Sequence, residues 1–188
     1  VYITVSDGST DVAEDGATDT YEVFLTSPPT ADVAIAVNGD DQVSVSPEIL
    51  TFTDLNYDSA QTVTVTAADD GVYEGDHVGI ITHSATSSDD DYDGMAISDV
   101  TANITDNEIV PSLEFTNPGA NGLENITTAN LALTLSGETS EDVTVDYTVT
   151  GGTATGEGLD YSLADGTATI TAGNLTGNIP CSVVDDHI

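Results

Sequence analysis

The chain contains no lysine and no arginine, against 34 aspartates and glutamates in 188 residues. Ordinary usage would place roughly 20 basic side chains in a chain of this length. Whatever it folds into, its carboxylates cannot be neutralised from within. The counter-charge must come from outside, and a divalent cation is the most compact source. The same deficit excludes classes of partner. Nothing in the chain could neutralise nucleic-acid phosphates, and an anionic membrane surface is disfavoured for the same reason.

High net charge favours disorder only when hydrophobicity is low. Here 38% of residues are hydrophobic, and they are patterned. Apolar residues alternate with period two over 20–25, 33–37, 61–66, 142–147 and 167–170, which predicts strands. Turn-forming clusters separate them, as in Ser27-Pro28-Pro29 and Asn117-Pro118-Gly119. No segment carries a helical stripe. The expectation is an all-β chain of immunoglobulin-like sandwiches. No stretch is long and apolar enough for a membrane-spanning helix. The chain begins at Val1 without a signal peptide, which reads as a mature or excised segment of a longer secreted protein.

An internal repeat divides the chain. Leu25-Thr26-Ser27 and Asp32-Val33 recur as Leu135-Ser136-Gly137 and Asp142-Val143, and Glu14 recurs as Glu124. The shared offset of about 110 residues is a plausible domain length. A later match, 62–65 leading to Asp69-Asp70 against 177–183 leading to Asp185-Asp186, has drifted by a few residues. The stretch 151–156 is the expected insertion. The predicted domains are 1–108 and 109–188, the second lacking its last strands. Either the chain is a window on a tandem array, or a strand from a neighbouring subunit completes the sheet.

The densest acidic motif is Asp69-Asp70-Gly71-Val72-Tyr73-Glu74-Gly75-Asp76-His77, between two predicted strands. With Glu14 before it and Asp106-Asn107-Glu108 after it, this resembles the Calx-β domain. The resemblance rests on paired aspartates, a short turn and a Glu-Gly-Asp step, and it covers nearly the whole chain. His77 stands where the family usually has glutamate. The resemblance implies tandem immunoglobulin-like sandwiches, with several calcium ions at one end in some members. It implies Glu14, Asp69, Asp70, Glu74, Asp76 and Asp106 as first-copy ligands, with Asp41 added across the insertion. In the second copy it implies Glu124, Asp160, Asp185 and Asp186.

The chemistry also stands on the residues alone. Calcium takes six to eight oxygens from carboxylates, carbonyls and water. Adjacent loop aspartates deliver carboxylates to one point, and without a cation they repel. A second signal is Asp89-Asp90-Asp91-Tyr92-Asp93-Gly94, where Asp89, Asp91, Asp93 and Gly94 match the opening half of a calcium loop. An acidic hairpin tip facing solvent accounts for it equally well. A halophile surface would explain the global charge, but not carboxylates bunched at matching places in two copies.

Other chemistries lack their parts. The three histidines are scattered without a soft second ligand or shared spacing, so zinc is not expected. Paired acids could serve a glycosidase, but there is no tryptophan for a sugar platform and no nucleophile–base arrangement. Cys181 reads as a buried strand cysteine. The sequence therefore points to a non-enzymatic, calcium-stiffened structural or adhesive module of a secreted cell-surface protein, with adjacent repeats or neighbouring subunits as partners. The alternatives are a filament subunit completed by strand exchange and an intracellular calcium sensor.

Overall fold

A computed structural model describes residues 1–117, 128–150, 154 and 160–185. The chain divides into two compact units, 1–70 with 75–107 and 71–74 with 108–188. Apart from one short 3₁₀ turn, the regular elements among the described residues of both are strands. Among the described residues no helix is long and apolar enough to cross a membrane.

The first unit contains β1 (Tyr2–Val5), β2 (Thr10–Ala13), β3 (Thr18–Phe24), β4 (Val33–Gly39), β5 (Val43–Ser46), β6 (Ile49–Phe52), β7 (Gln61–Ala67), β8 (His77–Ser87) and β9 (Val100–Thr105). Two sheets form, β1-β3-β7-β5 and β2-β9-β8-β4-β6. Alternation decides which side chains face inward. Tyr21 and Val23 of β3, Val63 and Val65 of β7, and Val33, Ile35 and Val37 of β4 are all 1% exposed or less. Leu50 and Phe52 of β6, Ile81 of β8 and Ala102 of β9 complete the layer between the sheets.

One pairing is parallel. β1 pairs antiparallel with β3, then the 3₁₀ turn Ser6–Gly8 carries the chain across to the other sheet. There β2 runs parallel to β9, with Val12 opposite Ile104 and Ala13 opposite Thr105. Asp7 takes a left-handed conformation in this turn (φ 45°), which aspartate tolerates better than most residues. The crossing is tied by Asp19, whose carboxylate accepts from the Ser6 hydroxyl and from the Asp11 and Thr20 amides.

The second unit contains β10 (Leu113–Phe115), β11 (Thr128–Leu135), β12 (Val143–Tyr147), β13 (Tyr161–Ser162), β14 (Gly166–Ile170) and β15 (Thr176–Val183). Its larger sheet, β10-β11-β15-β13, repeats β1-β3-β7-β5 strand for strand. Its smaller sheet pairs β12 with β14, as β4 pairs with β6. The repeat extends to single hydrogen bonds. The Leu25 amide donates to the Tyr57 carbonyl at 2.7 Å, and the Leu135 amide to the Leu175 carbonyl at 2.8 Å. The described core is thin, with Leu133, Leu135, Ala168, Ile170 and Ile179 buried. Burial fades along β15, and this corrects one expectation: Cys181 is on a strand but only half-buried. Ile170 packs against the β15 backbone at Gly177, where a Cβ would stand 2.7 Å from its Cγ1, and Ile179 is the last buried side chain on β15 before Cys181.

His83 of β8 pins the two sheets of the first unit. Its Nδ1–H donates to the Ser98 carbonyl at 3.1 Å, so Nε2 accepts from the buried Tyr21 hydroxyl at 2.8 Å. Burial holds the His83 pKa below its ordinary value, against the opposing effects of the Ser98 carbonyl and Asp99. Burial also pushes the Tyr21 phenol upward. A histidine whose folded pKa is depressed stabilises the fold fully above its unfolded value of about 6.5. That stability is lost as pH falls from there through the folded pKa. Thermal unfolding of the first unit is therefore expected to lose stability on acidification below about pH 6.5, and His83→Phe to flatten this dependence. Equal slopes for the two proteins would refute the assignment.

Candidate metal centre

Strand register carries four loops to one end of the first sandwich. The parallel β2–β9 pairing places Glu14, one residue past β2, beside Asp106, one residue past β9. The Glu14 amide donates to the Thr105 carbonyl at 3.2 Å. Because β8 runs antiparallel to β9, His77 at its start pairs with Ile104 at the same end. Val43 pairs with Ala67, and the Ala68 amide donates to the Gln42 carbonyl at 2.9 Å, so the 40–42 turn joins the loop after β7.

Glu14 is the centre of this arrangement. It stands in a tight turn, where the Ala13 amide donates to Ala17 and the Gly16 amide to Ala13. Gly16 closes the turn at φ 102°, a backbone that side-chain-bearing residues rarely adopt. The Glu14 side chain is 4% exposed. Both its carboxylate oxygens are buried and have no hydrogen-bond partner. An ionised carboxylate removed from water without a partner costs several kcal/mol or more. A cation against it removes that cost. Glu14 enters two separate groupings of potential ligand atoms within 4.8 Å of one another, one with His77 and one with Asp106.

The neighbours are held from behind. Asp106 is half-buried, and one of its oxygens accepts a short hydrogen bond from the Gly75 amide. Gly75 (φ 70°) supplies the left-handed backbone of that loop. His77 Nδ1 meets the Gly75 carbonyl at 2.9 Å, and Nε2 meets Gln42 Oε1 at 3.2 Å. The donors on the Asp106 side are hard oxygens, and an orphaned buried carboxylate beside them fits a hard divalent cation.

Of the residues expected from the sequence, Glu14 and Asp106 are brought together. Asp69, Asp70 and Asp76 are exposed on the following loop and lie outside these groupings, as does Asp41 in the turn before β5. Glu74 is half-buried and falls in the 71–74 stretch of the second unit, where Tyr73 forms a ladder contact with Thr139. In that unit Asp160 is half-buried and Asp185 exposed. Glu124 and Asp186 lie outside the described residues. His77, which the sequence marked only as a departure from the family's glutamate and did not expect to bind metal, enters one grouping with Glu14, and Gln42, which the sequence did not mark, contacts it. The departure from glutamate at position 77 was the available signal for the first, and no local signal marks the second.

The 89–94 loop is closed by its own hydrogen bonds. Asp89 is buried, one oxygen accepting from the Thr30 amide at 2.7 Å and the other from the Asp91 amide at 3.0 Å. The Thr30 amide, then that of Asp91, holds its carboxyl below the usual range. Asp93 accepts from the Ser87 amide at 3.2 Å, and Asp91 is exposed. The buried Tyr92 hydroxyl donates to the Ser27 carbonyl at 2.6 Å. These acids anchor the loop after β8 to the 27–30 turn, with Asp89 spending both its oxygens on backbone amides.

Comparison with known proteins gives a family-level match. The Calx-beta domain model matches twice, over residues 11–108 and 106–188. No curated protein sequence matches the chain. Among solved structures the chain is similar to the calcium binding domain CBD12 of CALX1.1, at 19% identity and TM-score 0.41, covering 99% of this chain and 77% of that one. It is similar to CBD12 from CALX1.2 at 15% identity and TM-score 0.42, covering 100% and 77%. The periplasmic chaperone SfaE also matches, at 10% identity and TM-score 0.41, over 92% and 87%.

Proposed function

Because this chain belongs to the Calx-beta domain family, we propose that it is a calcium-binding structural module of a secreted cell-surface protein, in which the ion rigidifies the loops at one end of each sandwich. The observation that carries this reading is the buried Glu14 carboxylate, with both oxygens unpartnered and Asp106 beside it. Asp106 and Glu14 are the ligands best supported by geometry. Asp41, Asp69, Asp70, Glu74 and Asp76 are the further candidates from the acidic loops, and Asp160 and Asp185 those of the second unit. The ion supplies positive charge that the chain does not encode. Neither a nucleophile–base pair nor a sugar platform is called for, so the module binds rather than catalyses. The complete absence of lysine and arginine favours secretion over a cytosolic location, and extracellular calcium would fill even sites with Kd of about 10⁻⁴–10⁻³ M.

Calorimetric titration of the cation-free chain tests this. Saturable binding in that range supports the structural reading. Half-saturation near micromolar would move the function to calcium sensing, and absence of saturable binding would overturn it.

A second reading is favoured by one observation. In the first unit β4 pairs with both β6 and β8. Among the described residues, β12 pairs with β14 and nothing pairs with its other edge. Val33, Ile35 and Val37 are buried, whereas Val143, Val145 and Tyr147 remain half-exposed. That edge is suited to an antiparallel strand of the β8 kind, from an adjacent repeat or from a neighbouring subunit of a filament. A peptide with the sequence of β8 (His77–Ser87) is expected to raise the melting temperature of the second unit and to slow amide exchange along β12. A scrambled peptide with the same effect would defeat this reading.

A further inference from the structure

We propose that Asn174 carries an N-linked oligosaccharide, attached through its side-chain amide in the turn between β14 and β15. The inference rests on the secretion half of the proposed function, because the transferase and its lipid-linked donor act on the exported side of a membrane.

The acceptor pattern Asn-x-Thr, with x other than proline, occurs at 103–105, 125–127 and 174–176. So short a pattern recurs by chance in a chain rich in threonine, and the fold decides which copy can be used. The stretch 125–127 lies outside the described residues. A glycan is bulky and needs a surface position, and its transferase needs the acceptor segment free of its neighbours. The two described copies differ on both counts.

Asn103 is held inside a sheet. On β9 it stands opposite Asp11 of β2 on one side and Val78 of β8 on the other. Its Nδ2 donates to Asp11 Oδ1 at 2.7 Å. The residue between acceptor and threonine, Ile104, is 2% exposed and part of the core. Offering this segment to an enzyme means stripping β9 from both neighbours and pulling Ile104 out of the core, which amounts to opening the first unit.

Asn174 stands in a turn that is fixed from behind. The Ala172 amide donates to Asp142 Oδ1 at 2.9 Å, the Gly173 amide to the Thr139 carbonyl at 3.0 Å, and the Asn174 amide to the Thr171 carbonyl at 3.1 Å. Gly173 (φ 71°) takes the left-handed step. Residues 171–176 are exposed in an unbroken run, and the intervening residue here, Leu175, is 41% exposed. Nδ2 bonds within the turn alone, to Thr171 Oγ1 at 2.9 Å and the Ala172 carbonyl at 3.3 Å. Thr176 opens β15, where it pairs with Thr134 at the end of the ladder, the place where strands fray first.

The transfer forms a bond between Nδ2 and the anomeric carbon of the donor sugar. It breaks that carbon's bond to a lipid diphosphate, which leaves with the electron pair, and Nδ2 gives up one proton.

The test recovers the protein from its own cells by fraction and maps the peptide containing Asn174 by mass spectrometry, before and after peptide N-glycosidase. Digestion uses an acid-specific protease, since trypsin has no site. The expected result is extracellular protein with Asn174 occupied in most molecules and returned as aspartate by the enzyme, and Asn103 bare. Thr176→Val is expected to abolish occupancy and Thr176→Ser to retain it, both with the parent melting temperature. In a second arm the folded chain, and then the unfolded chain, is offered to a purified oligosaccharyltransferase with its donor. Asn174 is expected to react in both states, and Asn103 in the unfolded chain alone. Bare Asn174 on extracellular protein would overturn the glycan and leave secretion standing. Modification of Asn103 in preference to Asn174 in the folded chain would overturn the choice of site. Recovery from the cytosol alone would remove secretion, and the glycan with it.

Discussion

Chelation of divalent cations is expected to lower the melting temperature of the first unit by about 10–20 °C. A ligand present at a hundred times its Kd stabilises the folded state by about 2.7 kcal/mol. Each kcal/mol moves the transition of a domain near 100 residues by about 4–8 °C. The effect has a structural address. Without a cation, Glu14 keeps two buried oxygens against no donor, and no lysine or arginine exists anywhere to replace the ion. Differential scanning calorimetry with chelator, then with calcium restored, reads this directly. Sodium chloride at matched ionic strength is the discriminating control. Recovery with monovalent salt alone would mean that the acids are only a solvated surface, and the structural role of calcium would fall.

Replacing Glu14 by glutamine is expected to change sign with calcium. In chelator the variant should be more stable than the parent by about 1–3 kcal/mol, because an uncompensated buried charge has been replaced by a neutral group of the same shape. In calcium it should be the less stable protein, with affinity reduced at least about tenfold, or about 1.4 kcal/mol. Asp106→Asn should show a weaker version of the second effect and little of the first. Asp106 is only half-buried, and the asparagine oxygen can still accept from the Gly75 amide. Parallel unfolding curves for parent and Glu14→Gln, with and without calcium, would show that the buried carboxylate is not part of a cation site.

Much of the sandwich was legible residue by residue. The alternation over 33–37 and 61–66 anticipated β4 and β7 almost to their ends, because inward Val33, Ile35, Val63 and Val65 fill one continuous layer. The repeat anticipated that β11 and β12 would stand where β3 and β4 stand, and the paired Leu25 and Leu135 hydrogen bonds show how closely. Burial at Cys181 was less legible. Period two specifies which face a side chain takes, not how far the opposing sheet extends to cover it.

The site divides along a physical line. Composition and spacing by themselves determined that this chain is a polyanion without internal counter-charge, that it folds into repeated β-sandwiches, and that acids bunch in the loops after particular strands. Those are local properties, set by side-chain type and by period. Which acids meet was decided only by tertiary structure. The parallel register of β2 on β9 sets Glu14 beside Asp106 across 92 positions of sequence, and the antiparallel start of β8 brings His77 to the same end. Register is a cooperative outcome of packing two sheets over one core. It can bury a single carboxylate and leave its sequence-prominent neighbours Asp69 and Asp70 in solvent.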